Sequence, residues 1–342
     1  MSRVAGPELV AAVSNEGGLG ILAALRLEPD DLRAQVRRIR ELTDRPFGVN
    51  LWLHPAVVHP AEPGAIDPTL LASAQRKLNA IRAQLGLPAS ASVPARFPEL
   101  VQRNFDVILD ERVPVWSIGL GDPGAVMVEQ AHARGIRVMA MVTNVGDARA
   151  VADAGVDFIV AQGTEAGGHR SSWTDDSEEA GTMVIVPRIV DAVRVPVIAA
   201  GGIVDGRGLV AALALGASAV MLGTRFIATR ESIAPKFFKD AVLAAGAGDT
   251  IVSAAFTGLP MRTLRNQFTS EYRDAAVLPP MLQSNAAEDI FRAAAQRGEA
   301  DYFPMPAGQS AGLIDDVPSA GDVVRAIVDE AERIARDFRP TP

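Results

Sequence analysis

The residues best equipped for chemistry lie in Gln162-Gly163-Thr164-Glu165-Ala166-Gly167-Gly168-His169-Arg170, a polar stretch directly following the apolar run Phe158-Ile159-Val160-Ala161. Glycines at 163, 167 and 168 remove the Cβ atoms that keep a flat or phosphorylated molecule away from the backbone, and they open backbone angles closed to other residues. His169 is the one side chain there whose charge changes near neutral pH. Such a group can hold an oxyanion or move a proton. The plainer reading is a flexible turn ending in a surface histidine, so the rest of the chain must decide. His54 and His59 flank prolines and are candidates for the rim of a site, whereas His132 sits in a helical stretch facing solvent. No spacing of His, Asp and Glu matches a metal site, and Asp175-Asp176 with Glu178-Glu179 reads as a solvated acidic run.

A second pattern concerns anions. Pro196-Val197-Ile198-Ala199-Ala200 runs into Gly201-Gly202, and the next apolar run leads into Met221-Leu222-Gly223-Thr224. In an eightfold α/β barrel, the loops after the seventh and eighth strands commonly bind phosphate through bare backbone amides and a helix N-terminus. Two successive glycine-ended strands at the end of the repeat fit that role, with simple tight turns as the alternative.

The elements that must position these loops alternate. Leu19–Ala24, Phe47–Leu53, Val113–Ile118, Val138–Val142, Phe158–Ala161, Val195–Ala200 and Ala219–Leu222 read as strands. Helical patterns separate them, opening at Pro7, at Pro29-Asp30-Asp31, at Asp147 and at Arg207. Strands that are apolar without alternation belong to a parallel sheet covered on both faces. The expected fold is therefore α/β, a TIM-type (β/α)8 barrel. If the two glycine-ended strands are the seventh and eighth, Leu19–Ala24 is the second. Most of the first strand is then expected to be lacking, only Met1–Val4 standing in its place. Residues 54–111 are rich in Pro and Ala and read as an insertion after strand three, over the barrel mouth. The barrel is expected to span 1–230. A mainly helical cap is expected over 231–342, with Met261–Phe268 among its helices.

Composition narrows the partners. With 48% hydrophobic and 22% charged residues the chain is an ordinary globular one. A formal charge of −8 argues against nucleic acid and anionic membrane as partners. The absence of cysteine removes disulfides, thiolate metal sites and cysteine nucleophiles. No export signal or apolar stretch of spanning length is evident, so the expected location is cytoplasmic.

Taken together, Ala11 to Gly20, Gly48-Val49-Asn50, Gln162 to Arg170, Ala200-Gly201-Gly202-Ile203 with Gly206-Arg207-Gly208, Leu222 to Phe226, and Ala307 to Leu313 resemble the nitronate monooxygenase family, formerly 2-nitropropane dioxygenase. The resemblance runs nearly end to end. It implies an FMN-dependent TIM-barrel enzyme that oxidises alkyl nitronates, such as propionate 3-nitronate, with O₂ to a carbonyl compound and nitrite. It places Asn50, Gln162, Gly167 and Gly168 along the isoalloxazine and ribityl parts of FMN. The phosphate falls to Gly201, Gly202, Met221, Leu222, Gly223 and Thr224, and His169 matches the family's active-site histidine. There it would bind the nitro oxygens or take a proton from a neutral nitroalkane. Two departures stand out. Met1 matches a flavin-side methionine that normally follows a complete first strand, and Ser171-Ser172-Trp173 replaces a usual glycine, making Trp173 a candidate wall residue. FMN-containing enoyl-[acyl-carrier-protein] reductases using NAD(P)H share these motifs and are the alternative, as is a flavin-binding protein without catalysis. A homodimer is left open.

Overall fold

A computed structural model describes residues 4–173 and 179–337. Its strands are β1 (Gly20–Ala23), β2 (Phe47–Trp52), β3 (Val115–Leu120), β4 (Arg137–Val142), β5 (Phe158–Gln162), β6 (Gly168–His169), β7 (Val197–Ala200), β8 (Ala219–Met221), β9 (Thr250–Ser253) and β10 (Met261–Leu264). Seven of these form one parallel sheet in the order β1-β2-β3-β4-β5-β7-β8. Each of these seven was legible in the sequence, with ends shifted by no more than a few residues.

The register explains the apolar runs. Val49 pairs with Leu22 on one side and with Trp116 on the other, and all three are buried. Helices seal the outer face. In Pro29–Leu42, Leu32, Val36 and Ile39 are buried while the arginines and acids between them face water, the spacing of an amphipathic helix. Helix Val101–Asp110 closes the 54–111 segment and packs Phe105 against Trp116, with ring centroids 4.5 Å apart and the planes tilted by 45°. The sheet curls like part of a barrel. Among the described residues β1 and β8 are not hydrogen-bonded to each other, so the ring is open there. The expectation about a first strand falls largely on Met1 to Arg3, outside the described residues, as do Asp175, Asp176 and Glu178 of the acidic run.

The C-terminal region is helical in the main, ending in Ala320–Asp337, which lies against Gly206–Ala214. One expectation needs correction. Met261–Leu264 is a strand, and only Gln267–Glu271 of that stretch turns helical. Met261, Leu264 and Phe268 have helical spacing, but Thr250, Ile251 and Val252, all β-branched, offer β10 an antiparallel partner, and buried Thr263 bonds the Met305 carbonyl through its hydroxyl. Tertiary pairing overrides the local pattern. β6 joins the other side of β10. Among the described residues no helix is long and apolar enough to cross a membrane.

Candidate active site

β5 ends on Gln162, which is buried. Both ends of its amide hold the loop that follows: Nε2 donates to the His169 carbonyl at 3.0 Å, and Oε1 accepts from the Ser171 N–H at 3.0 Å. The turn between them is braced from several sides. Arg170 donates to the Gly163 carbonyl and Arg262 to that of Thr164. The Glu165 carboxylate accepts from the Thr182 N–H and hydroxyl, each at 2.9 Å, capping helix Thr182–Ala192 with the charge that a helix N-terminus favours. The Thr182 hydroxyl also lies 2.9 Å from the Gly201 carbonyl. Glu165 and Thr182 thus tie the loop after β5 to the loop after β7.

The glycines divide by task. Gly168 has φ +84°, and nothing lies within 4 Å of a would-be Cβ. Gly201 and Gly202 have φ of +112° and +72°. Gly167 is different. A Cβ there would stand 2.4 Å from the Gly308 nitrogen, and one on Gly308 would stand 2.5 Å from the Glu165 carbonyl oxygen, so two glycines let two backbones touch. Gly308 N–H donates to the Thr224 hydroxyl and Gln309 N–H to the Glu165 carbonyl, both at 2.9 Å. Met221 and Leu222 are half-buried, and Gly223 precedes the short helix Thr224–Ile227.

His169 lies in β6, opposite Met261 of β10. Its Nε2 is 2.8 Å from Thr257 Oγ1, in the turn joining β9 to β10. Thr257 Oγ1 also accepts from the Leu259 N–H and donates to the Leu259 carbonyl, each at 3.3 Å. One arrangement satisfies all of them: His169 Nε2–H donates to Thr257, whose own proton goes to Leu259. The lone pair is then on Nδ1. The Trp52 ring meets the imidazole edge-on at 4.5 Å and 72°. Burial, with positive charge on His54 and Arg26 adding to it, lowers the His169 pKa to about 3, so the imidazole is neutral at ordinary pH.

That shift has a consequence for stability. The unfolded chain takes up a proton at His169 below its ordinary value of 6.5, while the folded chain does not until about pH 3. The His169 contribution is therefore complete above pH 6.5 and is lost as pH falls through this window, at up to about 1.4 kcal/mol per pH unit. On going from about pH 7 to about pH 5, denaturant midpoints should fall further for the wild-type chain than for His169→Asn. Equal falls would mean the imidazole is not held neutral.

Asn50, on β2, donates from Nδ2 to Ser117 Oγ on β3 at 3.0 Å. His54 accepts the Ala56 N–H on Nδ1, is half-buried, and has its pKa lowered by that burial. It interacts electrostatically with His169, so it belongs to the surroundings of the site. His59 is exposed. His132 pairs with Asp157 at 2.9 Å beside Arg137, at the start of β4. The site gathers at the opposite, C-terminal ends of the strands. Trp173 is half-buried against the large core.

The sequence reading missed Trp52, Ser117, Thr182 and Thr257. Trp52 carried a signal, being two residues beyond Asn50 and so on the same face of a strand. Thr257 carried none, because only tertiary pairing brings its hairpin to His169.

The whole chain can be compared with known proteins. The family model described as nitronate monooxygenase matches residues 1–330. A probable nitronate monooxygenase of Staphylococcus saprophyticus is 34% identical, over 96% of this chain and 92% of its own length, and one of Staphylococcus haemolyticus is 36% identical, over 90% and 85%. Among solved structures, a nitroalkane oxidase from Streptomyces ansochromogenes superposes with a TM-score of 0.88 at 32% identity, covering 98% of this chain and 95% of that one. FabK from Thermotoga maritima gives 0.77 at 32%, covering 99% and 93%. The chain belongs to the nitronate monooxygenase family, a family of flavin-dependent oxidoreductases.

Proposed function

We propose that this chain uses FMN and O₂ to oxidise alkyl nitronates, with propionate 3-nitronate as an example, to a carbonyl compound and nitrite. The observation that carries the reading is a half-buried, neutral His169 aimed by Thr257 at the edge of a glycine-lined loop. The residues fit a flavin. Gly168 presents bare backbone to open space, and Gly201 and Gly202 turn the chain through positive φ angles that other residues rarely adopt. Asn50, Gln162, Gly167 and Gly168 would border the ring and ribityl chain, with Gly201, Gly202, Met221, Leu222, Gly223 and Thr224 around the phosphate. Thr224 would contribute its backbone N–H and its hydroxyl proton, the hydroxyl oxygen accepting from the Gly308 N–H. Gln162 would act by shaping the loop, since both ends of its amide are in use.

When bound, the flavin supplies electron transfer from nitronate to O₂. The protein's part is binding and proton control. A nitronate is an anion, and an anion beside a neutral imidazole raises the affinity of that imidazole for a proton, so substrate and proton are taken up together. A base as weak as this His169 is poorly matched to removing a carbon-bound proton from a neutral nitroalkane. The preformed nitronate is therefore the better substrate.

The test uses the FMN-loaded chain in air with propionate 3-nitronate. Oxygen uptake accompanied by nitrite release is expected, with no anaerobic bleaching of the flavin by NADH. Rapid bleaching by NADH and no response to nitronate would replace this reading with NAD(P)H-dependent enoyl reduction. Bound flavin with neither response would point to a non-catalytic flavin protein.

A further inference from the structure

The parallel pairing of β2 and β3 contains an irregularity. Leu51 lies opposite Ile118 and Trp52 opposite Leu120, so Gly119 is left without a partner. An extra residue in one strand bends the ladder and redirects neighbouring side chains, and such bulges gather beside active sites. Here the bulged residue has no side chain, and the side chains of Asn50 and Trp52 lean over it. A Cβ on Gly119 would stand 2.9 Å from Asn50 Oδ1 and 2.9 Å from Trp52 Nε1. The Gly119 carbonyl is itself bonded by the Ser171 hydroxyl, next to the loop that carries His169.

Asn50 spends its Nδ2 on Ser117, but Asn50 Oδ1 and Trp52 Nε1 have no hydrogen-bond partner among the described residues. Both residues are half-buried. An acceptor and a donor without partners thus lie side by side over the bare Gly119, beside the imidazole that Trp52 touches edge-on. An oxyanion does not suit the pair, because a phosphate or nitronate would face the Asn50 carbonyl oxygen, lone pair against lone pair. A group with an N–H next to a C=O in one plane satisfies both.

We propose that Trp52 and Asn50 read the imide edge of the flavin's pyrimidine ring, Trp52 Nε1–H donating to a ring carbonyl and Asn50 Oδ1 accepting the ring N3–H. The inference rests on the flavin reading above. It makes Trp52 a cofactor-recognition residue, and it gives the bare Gly119 bulge the task of letting the two side chains meet that edge.

The test is binding, read by quenching of flavin fluorescence. Trp52→Phe keeps a ring and removes only the N–H donor, and it should raise the Kd for FMN about fivefold. FMN analogues with sulfur in place of oxygen at C2 or C4 accept hydrogen bonds poorly. For the analogue altered at the carbonyl that Trp52 reads, the wild-type chain should lose affinity and the Trp52→Phe penalty should shrink below about twofold. On the unaltered protein, N3-methyl-FMN cannot donate to Asn50 and should bind at least about fivefold more weakly than FMN. Wild-type affinity for FMN in Trp52→Phe, equal losses for FMN and both thio analogues, or equal binding of FMN and N3-methyl-FMN would each overturn the proposal. These outcomes concern flavin recognition alone and do not decide whether nitronate is the substrate. Tight, edge-specific flavin binding without nitronate turnover would instead remove the proposed function and leave this inference standing.

Discussion

Replacing His169 with Asn is expected to lower kcat/KM for alkyl nitronates by about 100-fold to 10,000-fold while the chain still takes up flavin in full, the span usual for loss of a positioned acid–base group. The separation follows from how the loop is held. Gln162 grips the backbone carbonyl of residue 169 and the N–H of Ser171, and β6 pairs with β10 through backbone, so the side chain can change while the loop stays. Stopped oxygen uptake with unchanged flavin stoichiometry is the expected pair of measurements. Activity within about threefold of wild type would show that His169 only closes the turn. Thr257 gives a graded control. Thr257→Val removes the hydroxyl that fixes the imidazole tautomer and should cost about tenfold in kcat, while Thr257→Ser, which keeps the hydroxyl, should restore most of it. A purely steric role for Thr257 would rank the two variants the other way.

Gly308→Ala should be strongly damaging for a single added methyl group. Its new Cβ would stand 2.5 Å from the Glu165 carbonyl oxygen and 2.8 Å from the Gly167 nitrogen, and neither backbone atom can swing aside as a side-chain end can. The segment must retreat, loosening the Gly308-to-Thr224 and Gln309-to-Glu165 bonds together. A loss on the order of 3 kcal/mol is expected, at the upper end for overpacking, with weakened flavin retention alongside. Chemical denaturation of the wild-type and variant chains gives the first quantity and flavin release on dilution the second. A variant that keeps both wild-type values would mean the two backbones are not in contact. Alanine at Gly17, where nothing lies within 4 Å, meets no clash and serves as the comparison, its positive φ making it a test of backbone strain alone.

The parallel sheet was legible because burial on both faces leaves continuous apolar runs such as Phe158 to Ala161, which lies between Asp157 and Gln162. The glycine-rich loop and the double-glycine strand end were legible because a bare backbone must be written as glycine. Hairpin β9/β10 was not. Its strands are four residues each and are fixed by what they pair with, while the helical spacing of Met261, Leu264 and Phe268 pointed elsewhere. The meaning of Gly167 was also hidden. In sequence it looks only like part of a ligand cradle, but its missing Cβ also makes room for Gly308, far along the chain. Local pattern reports what a segment buries, but close approach between distant backbones leaves only a glycine, with no sign of the partner.

The hairpin that aims His169 also sets when the site is finished. His169 bonds Thr257 across 88 residues, and β6 has no sheet partner except β10 among the described residues. During synthesis, β1 to β5 can assemble from neighbours in sequence, but the imidazole cannot be fixed until the chain beyond Leu264 has emerged. Non-local pairing of this kind carries a loop-closure cost and forms late. In refolding, native-like secondary structure should therefore return before the fluorescence of Trp52 against His169 does, which gives the active site its own slow kinetic signature.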